Sequence, residues 1–536
     1  MLESMSVEEI SHEQLIGLIQ RIEHAIEHDL SLSVEDMKLL LMAITTLCTL
    51  QQKLENNDVT LHKLRKLLGM VQQSEQRRNK EGPPKPRGNK NSSKQKSKKK
   101  KPRHVPVVYH KLETFQSGMA CPDCHCGRLY KYEPGKLLRV TGHAPFEATQ
   151  HITEQLRCNA CQELQTAPLP AEVLADGEAN QQYAYSARAL MVIHKFYSGI
   201  PYHHQGNLAD TFGHAVSAST IFDQCEQVAN VVMPLFHELK RQAACGDGFL
   251  LDDTHNRILE QQPEYREKRN GKGTQLRTGV YSSGLIALTA QGHEIVLFET
   301  SLGHAGELLD DVLKHRPANL LPPLTMSDAL SSNNPTVRKV ESALCNAHCR
   351  RQFVDIEKLR PEESAWVLET YSIIWKTEQV VKEKNLDPKQ RLAYHQEHSL
   401  PAMESLQQWA LEKEKSPDFE EHSAMGKAIR YLLRHYDRLK LFCVKEGALI
   451  DNNRMEETLK IIIRGRKTSH FYRTKTGADI ANVLLSIVAT AYRAQVNLFD
   501  YLIVLQRYRD LVRKDPATWL PWCYQKSLEA IENPLG

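Results

Sequence analysis

The stretch Phe249-Leu250-Leu251-Asp252-Asp253 places two acids directly after a short run of apolar residues. A fully apolar run of this length is typical of a strand at the centre of a sheet, buried on both faces. An acid at the tip of such a strand is held rigidly at the rim of the sheet. Asp252 is therefore the first candidate functional residue, with Asp253 as its rival, because side-chain alternation alone does not say which of them faces the site.

The pattern of residues after Gly248 predicts three strands, then a helix and then a fourth strand. This is the ribonuclease-H-like order, in which a meander of three strands is followed by a crossover helix and a fourth strand beside the first. The order brings the tips of strands one and four together. The predicted elements are strands over 249–252, 277–290 and 293–300, a helix over 303–314, and a strand over 324–328.

Two further acids fit the same arrangement. Asp328 follows the predicted fourth strand, and Glu456 lies in Asp451-Asn452-Asn453-Arg454-Met455-Glu456, where an Asx cap predicts the start of a helix. Carboxylates from two strands and a helix can converge on two Mg²⁺ ions. Asp252, Asp328 and Glu456 are the predicted ligands, and Glu457 is a rival for the third place.

Length and composition predict a soluble, multidomain chain. Its 536 residues allow three or four domains, and 41% hydrophobic residues suffice for one sizeable core. No apolar stretch reaches the roughly 18 residues of a spanning helix, and the N-terminus lacks the layout of a secretory signal. We expect no membrane association and a location in the prokaryotic cytoplasm, at the nucleoid, with a nucleus as the other compatible compartment.

The N-terminal part predicts a coiled coil and a basic linker. In residues 1–75, leucines recur every seven residues from Leu40 to Leu68, which predicts an intermolecular leucine zipper, with a helix folding back on its own chain as the alternative. Residues 77–103 hold 13 Lys or Arg and one acid, so the linker over 76–105 is predicted to be disordered and to bind DNA phosphates, or to be a solvated spacer. Its central lysines are Lys98, Lys99, Lys100 and Lys101.

Two Cys-x-x-Cys pairs predict a structural zinc ribbon over 106–170. Four thiolates in two short loops suit tetrahedral Zn²⁺, and His125 or Cys126 could replace one of them. A redox pair is the competing interpretation. The predicted Zn²⁺ ligands are Cys121, Cys124, Cys158 and Cys161.

Short helices broken by Gly and Pro over 180–243 predict a helix-turn-helix-like DNA-binding region. The third helix of this region, from Ser217 or Ser219, is largely apolar. Packing against the rest of the chain therefore explains its sequence as well as contact with DNA bases does.

These blocks together resemble the transposases of the IS66 insertion-sequence family over nearly the whole chain. The family's His-x-Asp-Glu-Thr block is similar to residues 250–254, with Leu250 and Asp253 in place of His and Glu. Its Cys-Trp-Ala-His-x-Arg-Arg block appears at 345–351, with Asn346 in place of Trp. The Asp-Asn-Asn-x-x-Glu block is kept at 451–456, followed by Gly-Arg-Lys at 465–467 and Leu-Pro-Trp at 520–522.

The resemblance implies a DDE transposase that cleaves DNA at terminal inverted repeats with Mg²⁺ and transfers the freed 3′-hydroxyl to target DNA. Asp252, Asp328 and Glu456 would hold two Mg²⁺ per active site. The implied partners are element and target DNA, with small accessory proteins of the same element as further candidates. The coiled coil predicts a homodimer or higher oligomer. The alternatives are a catalytically inactive, transposase-derived DNA-binding protein and a nuclease without strand transfer.

The fold prediction is thus a multidomain α+β chain with a ribonuclease-H-like α/β core interrupted by a helical insertion. The core is predicted over 244–358 and 448–500, the insertion over 359–447 and a helical tail over 501–536. Cys345 and His348 could be half of a second zinc site, although a structural turn is the favoured interpretation. Because guanidinium groups bind phosphate in two-point geometry, the predicted DNA contacts are, besides the linker lysines, Arg350, Arg351, Arg464, Arg466 and Lys467.

Overall fold

The computed structural model describes residues 12–28, 30–41, 119, 145–157, 164–268, 273–417 and 419–532. The chain divides into two compact units, Met1–Gly135 and Lys136–Gly536. In the first unit, helix α1 spans His12–Glu27, and Arg21 on this helix donates to Asp36 at 2.8 Å. The predicted heptads beyond Leu40 and the basic linker lie outside the described residues, so both remain predictions.

The second unit begins with a two-stranded hairpin and a group of helices. The third predicted helix begins at Ala218 and is capped by Ser217, whose Oγ accepts from the Thr220 N–H at 3.1 Å. Its apolar face is buried in the main core, as the packing interpretation requires. The helix over Tyr185–Val192 continues as a π-helix over Ile193–Tyr197. The elements are β1 (Gln155–Arg157), β2 (Leu164–Thr166), α2 (Ala171–Ala175), α3 (Tyr185–Val192), α4 (Tyr202–Thr211) and α5 (Ala218–Ala243).

A five-stranded sheet with the order β7-β6-β3-β8-β9 forms the centre of this unit. Strands β3, β6 and β7 are an antiparallel meander, while β8 is parallel to β3 and β9 is parallel to β8. The crossover helix α6 connects β7 to β8. The bounds are β3 (Gly248–Asn256), β6 (Val280–Leu288), β7 (Glu294–Ser301), α6 (Ala305–Leu313), β8 (Leu324–Ser327) and β9 (Glu341–Leu344).

The sequence prediction was wrong in three places in this region. Strand β3 continues to Asn256, beyond the predicted end at Asp252, because β6 pairs along its whole length, so Asp252 lies within the strand and not at its tip. The strand predicted over 277–290 is two strands, because the chain first forms a separate hairpin of β4 (Glu264–Glu267) and β5 (Thr274–Arg277). Strand β9 was not predicted. Its four residues pair along the whole of β8 and extend the sheet beyond the predicted fourth strand.

A block of helices between β9 and the remaining core has its own apolar interior, which includes Tyr371, Leu406, Leu432 and Phe442. None of the helices in the described part of the chain is long and apolar enough to cross a membrane. The block consists of α7 (Asn346–Asp355), α8 (Pro361–Glu383), α9 (Pro388–His398), α10 (Leu400–Glu414) and α11 (Ala424–Leu439). The chain ends with α12 (Asn453–Ser469), α13 (Lys475–Arg493), α14 (Leu498–Arg507), α15 (Arg509–Lys514) and α16 (Tyr524–Glu532).

Helix α13 closes the open edge of the sheet at β7. Three of its side chains, spaced four residues apart on one face, accept hydrogen bonds from alternate backbone N–H groups of the strand. These bonds run from Val296 to Thr490 (3.0 Å), from Phe298 to Ser486 (2.9 Å) and from Thr300 to Asn482 (2.9 Å). A buried edge strand would otherwise carry unsatisfied N–H groups.

Replacing Ser486 with Ala is expected to lower the free energy of unfolding by about 1–3 kcal/mol, because the buried N–H of Phe298 loses its acceptor. Urea denaturation of the full chain measures the effect. Ser405→Ala is the matched control, since the Ser405 hydroxyl bonds the Pro401 carbonyl on an exposed helix surface. Equal urea midpoints for the two variants would contradict the role assigned to Ser486.

Candidate active site

Asp252 and Asp253 lie on opposite faces of β3, and the structure distinguishes between them. Asp253 faces α6, where its Oδ2 is 2.9 Å from His304 Nδ1 and also accepts from the Ala305 N–H at 3.4 Å. Asp252 therefore faces the other side of the sheet, where α12 packs. The Asp253 N–H donates to Asp252 Oδ1 at 2.8 Å and holds that oxygen. No motif in the sequence predicts the contact between His304 and Asp253.

Asp328 lies beside Asp252 because β3 and β8 run in parallel. Leu250 pairs with Met326, so two residues further along each strand the chain reaches Asp252 and Asp328. Asp328 Oδ1 accepts from the Leu330 N–H at 3.0 Å and from Asn333 Nδ2 at 2.7 Å. The loop after β8 thus fixes the orientation of this carboxylate.

Glu456 is in the first turn of α12, as predicted, but the cap of this helix differs from the prediction. Asn452 occupies the cap position without a side-chain capping bond. Its buried Nδ2 instead donates to the Leu251 carbonyl at 2.8 Å, while Asp451 Oδ1 accepts from the Asn453 N–H at 3.1 Å. Asn452 therefore ties the start of α12 to the strand residue that precedes Asp252.

Gly284 on β6 lets α12 lie directly on the sheet. It pairs with Asp252 across the strands, and a Cβ atom at this position would overlap Met455 Cε and approach Leu459 Cδ2 to 3.2 Å. Met455 precedes Glu456 in α12. The absence of a side chain at Gly284 therefore sets the distance of Glu456 from the sheet.

The three acids interact electrostatically. Burial raises the pKa of Asp252 to about 7, and the charges of Asp328, Asp253 and Glu456 add to the increase, while the hydrogen bond from the Asp253 N–H opposes it. A buried carboxyl whose charge is destabilised by neighbouring carboxylates is stabilised by a bound cation. An all-oxygen donor set of this kind fits Mg²⁺.

Glu456 and Glu457 have different surroundings. Glu456 Oε1 lies 3.6 Å from His348 Nδ1, and its Oε2 lies 3.8 Å from Arg351 Nη2. The Glu457 side chain is 71% exposed, and its nearest cation is Arg493 at 3.9 Å. The geometry therefore favours Glu456 as the third acid.

Asparagine at position 252 is expected to stabilise the metal-free protein at neutral pH. Because the pKa is about 7 in the folded chain and roughly 4 in the unfolded chain, the folded state retains a proton between these values and stability falls as the pH rises through this window. The advantage of Asp252→Asn should be small at about pH 4 and reach up to about 4 kcal/mol above about pH 7.

Thermal denaturation in chelator at several pH values measures this advantage. Asp437→Asn is the control, because the Asp437 side chain is 92% exposed. A melting temperature difference between Asp252→Asn and wild type that did not change with pH would contradict the prediction.

A basic cavity of about 790 Å³ opens beside Glu456, between α7 and α8. Two of the predicted phosphate contacts, Arg350 and Arg351, line it. Lys376, Lys382 and Trp375 on α8 were not predicted, although the spacing of the two lysines places them on neighbouring turns of one helix.

The other three Arg and Lys residues predicted to contact phosphates near the site have different surroundings. Arg464 donates to the Tyr197 carbonyl and Arg466 to Thr254 Oγ1 at 3.0 Å, so both bind within the chain, whereas Lys467 is exposed. The predicted Zn²⁺ ligands Cys121, Cys124, Cys158 and Cys161, and the linker lysines, lie outside the described residues.

Residues 180–480, more than half of the chain, match the family model described as "Transposase IS66 family". Two curated relatives come from Sinorhizobium fredii (strain NBRC 101917 / NGR234). "Uncharacterized protein y4jD" is 25% identical over 439 residues, which cover 78% of this chain and 81% of the relative. "Uncharacterized protein y4hP" is 23% identical over 407 residues, which cover 72% of this chain and 69% of the relative.

Proposed function

The chain belongs to the IS66 family of transposases, and on this premise we propose that it cleaves DNA at the terminal inverted repeats of an insertion sequence and joins the freed 3′-hydroxyl to target DNA. The family membership implies an enzyme that cuts and joins DNA. The finer proposal assigns the chemistry to Mg²⁺ held by Asp252, Asp328 and Glu456.

The convergence of these three acids is the observation that carries the proposal. Asp252 lies in the middle of β3, two residues beyond its last pairing with β8, and Asp328 directly follows β8. Glu456 lies in the first turn of a helix that Asn452 ties to β3. An antiparallel meander, a crossover helix and parallel strands beyond it support a ribonuclease-H-like core. In the proposed domain division, the block of α7–α11 is mostly the helical insertion.

The chain's own residues would hold and orient the reacting groups. Bound Mg²⁺ would supply the Lewis acidity that activates an oxygen nucleophile and stabilises the leaving oxygen. Asp252 and Asp328 present carboxylates fixed by backbone and side-chain donors, and Asn452 keeps Glu456 in register with them. No side chain needs to act as a general base when the three acids serve only as ligands.

The basic cavity is the proposed position of DNA phosphates near the reacting bond. The wall carries four cations and one acid, Glu378, which pairs with Lys382 at 3.2 Å, and Arg351 lies next to Glu456. The four cations are Arg350, Arg351, Lys376 and Lys382. Guanidinium groups bind phosphate oxygens in two-point geometry. The phosphate contacts proposed for the linker lysines and Lys467 would add affinity that does not depend on sequence.

Three further parts of the proposal concern the N-terminal half. We propose that the four cysteines of the Cys-x-x-Cys pairs hold a structural Zn²⁺, that the heptads join two or more copies of the chain, and that the region over 180–243 contacts DNA. Accessory proteins of the same element and a nucleoid location in the prokaryotic cytoplasm belong to the same proposal.

Cleavage and strand transfer on labelled duplexes that carry the element's ends test the proposed function. We expect 3′-hydroxyl ends and joined products with Mg²⁺, and binding without cleavage with Ca²⁺. Cleavage without joining to a second duplex would indicate a nuclease. Binding without cleavage in Mg²⁺, with the element's accessory proteins present, would instead indicate an inactive DNA-binding protein.

A further inference from the structure

Cys345, His348 and Glu456 form a cluster of mixed chemistry beside the proposed Mg²⁺ site. One sulfur, one ring nitrogen and one carboxylate oxygen all lie within 4.8 Å of one another. The proposed transposition chemistry uses only Glu456 from this set. The cluster combines the last residue before α7, a residue in its first turn and the first turn of α12.

Cys345 is a buried thiol whose sulfur already accepts a backbone hydrogen bond. Cys345 precedes the first turn of α7, and its buried Sγ accepts from the Asn452 N–H at 3.3 Å. Burial nevertheless raises the pKa of the Cys345 thiol to about 11, although the hydrogen bond from the Asn452 N–H opposes the increase, so the thiol of the metal-free chain keeps its proton. A cation bound at this position would displace the proton, because a coordinating thiol is deprotonated.

The other two residues each have a buried atom without a hydrogen-bond partner in the described part of the chain. His348 Nδ1 and Glu456 Oε1 are buried and have no hydrogen-bond partner in the described part of the chain, although they lie 3.6 Å apart. Buried polar atoms are normally satisfied, so two orphaned atoms that approach each other suggest a missing shared ligand. Ligand atoms of a tetrahedral zinc ion lie about 3.3–3.8 Å apart, which the separation of these two atoms matches.

We propose that Cys345, His348 and Glu456 bind one Zn²⁺, with water in the fourth position. A thiolate and an imidazole select Zn²⁺ over Mg²⁺, which takes oxygen ligands. On binding, the S–H bond of Cys345 breaks, its electron pair forms the Zn–S bond and the proton goes to solvent. The neutral imidazole donates its Nδ1 electron pair, so no oxidant or reductant is involved.

This site would regulate the enzyme because Glu456 belongs to both metal sets. Zn²⁺ bound through Cys345 and His348 would draw Glu456 away from Asp252 and Asp328 and inhibit cleavage. The regulatory consequence rests on the proposed function, whereas Zn²⁺ binding itself does not. The two parts therefore need separate measurements.

The binding experiment uses the full chain and Zn²⁺ titrated in competition with a chromophoric chelator. We expect wild type to bind one more equivalent of Zn²⁺ than Cys345→Ser or His348→Gln. Loss of a residue that bonds the metal directly should weaken Zn²⁺ binding by more than about a hundredfold, which exceeds the effect of losing a residue that only orients a ligand. Cys443→Ser is the control for removing a buried thiol elsewhere. His348→Gln covers the case in which Cys345→Ser fails to fold. Equal Zn²⁺ binding by wild type and His348→Gln would overturn the proposal.

Two further variants separate this inference from the proposed function. Asp252→Asn should bind Zn²⁺ as wild type does even if the chain never cleaves DNA, whereas Glu456→Gln should lose the additional equivalent. Zn²⁺ should inhibit the Mg²⁺-dependent cleavage by wild type and leave the residual cleavage by Cys345→Ser unaffected. Full Zn²⁺ binding by Glu456→Gln would remove Glu456 from the site, and equal inhibition of Cys345→Ser would refute the regulatory role.

Discussion

Asp252→Asn, Asp328→Asn and Glu456→Gln are each expected to reduce Mg²⁺-dependent cleavage by about a thousandfold or more, while the affinity for DNA is retained. The reason is that each substitution replaces a charged metal ligand with a neutral amide of the same shape. Loss of metal-based stabilisation of the transition state costs several kcal/mol, and each 1.4 kcal/mol is about a tenfold change in rate. Single-turnover cleavage of labelled ends and a binding isotherm in Ca²⁺ measure the two quantities.

Glu457→Gln is the matched control for the third acid. It removes a carboxylate from the neighbouring position of the same helix turn, but the side chain is 71% exposed and faces Arg493. Its cleavage rate should stay close to that of wild type. If Glu456→Gln remained active while Glu457→Gln did not, the assignment of the third ligand would be wrong, whereas full activity of Asp252→Asn would refute the whole acid cluster.

The sequence predicts those strands whose apolar composition is typical of a buried strand. Strand β3 begins with the unbroken apolar run that predicts it, but it continues to Asn256 through polar residues that carry no such pattern. Strand β9 has the sequence Glu-Ser-Ala-Leu, in which polar and apolar residues do not alternate. It forms because the edge of β8 has backbone groups with which it can pair. The β4–β5 hairpin is polar and largely exposed, so it has no hydrophobic pattern either.

The candidate site, too, is predictable from the sequence only in part. The sequence predicts Asp252, Asp328 and Glu456 as site residues, because Asp252 ends an apolar run, Asp328 follows a predicted strand and Glu456 lies at the start of a predicted helix. It could not choose between Asp252 and Asp253, since that choice depends on α12 packing on one face of the sheet and α6 on the other. The sequence predicts a capping role for the Asx residues before α12. The Asn452 side chain instead bonds the Leu251 carbonyl. A contact between segments so far apart in the chain leaves no local pattern in the sequence.

Gly284→Ala is expected to lower the cleavage rate by about a hundredfold and the free energy of unfolding by about 1–3 kcal/mol. A methyl group at this position would overlap Met455 Cε and lie 3.1 Å from Phe298 Cε1. Because Met455 is fully buried, its side chain has little room to turn aside, and we therefore expect α12 to move away from the sheet. Overpacking a core costs energy of this size, and a displacement of about 1 Å at a reacting group can cost about a hundredfold in rate. Cleavage kinetics and urea denaturation measure the two effects.

Gly248→Ala provides the control, because Gly248 also lies in a buried strand of the sheet and a Cβ there would make an ordinary contact of 3.5 Å with Leu288. A combined Gly284→Ala and Met455→Ala variant tests the mechanism, since the shortened side chain at position 455 removes the closest overlap. If α12 displacement is the cause, the double variant should cleave faster than Gly284→Ala alone. Slow cleavage by the double variant with normal DNA binding would instead show that Gly284 acts on Asp252 through the strand pair, and not through the helix that carries Glu456.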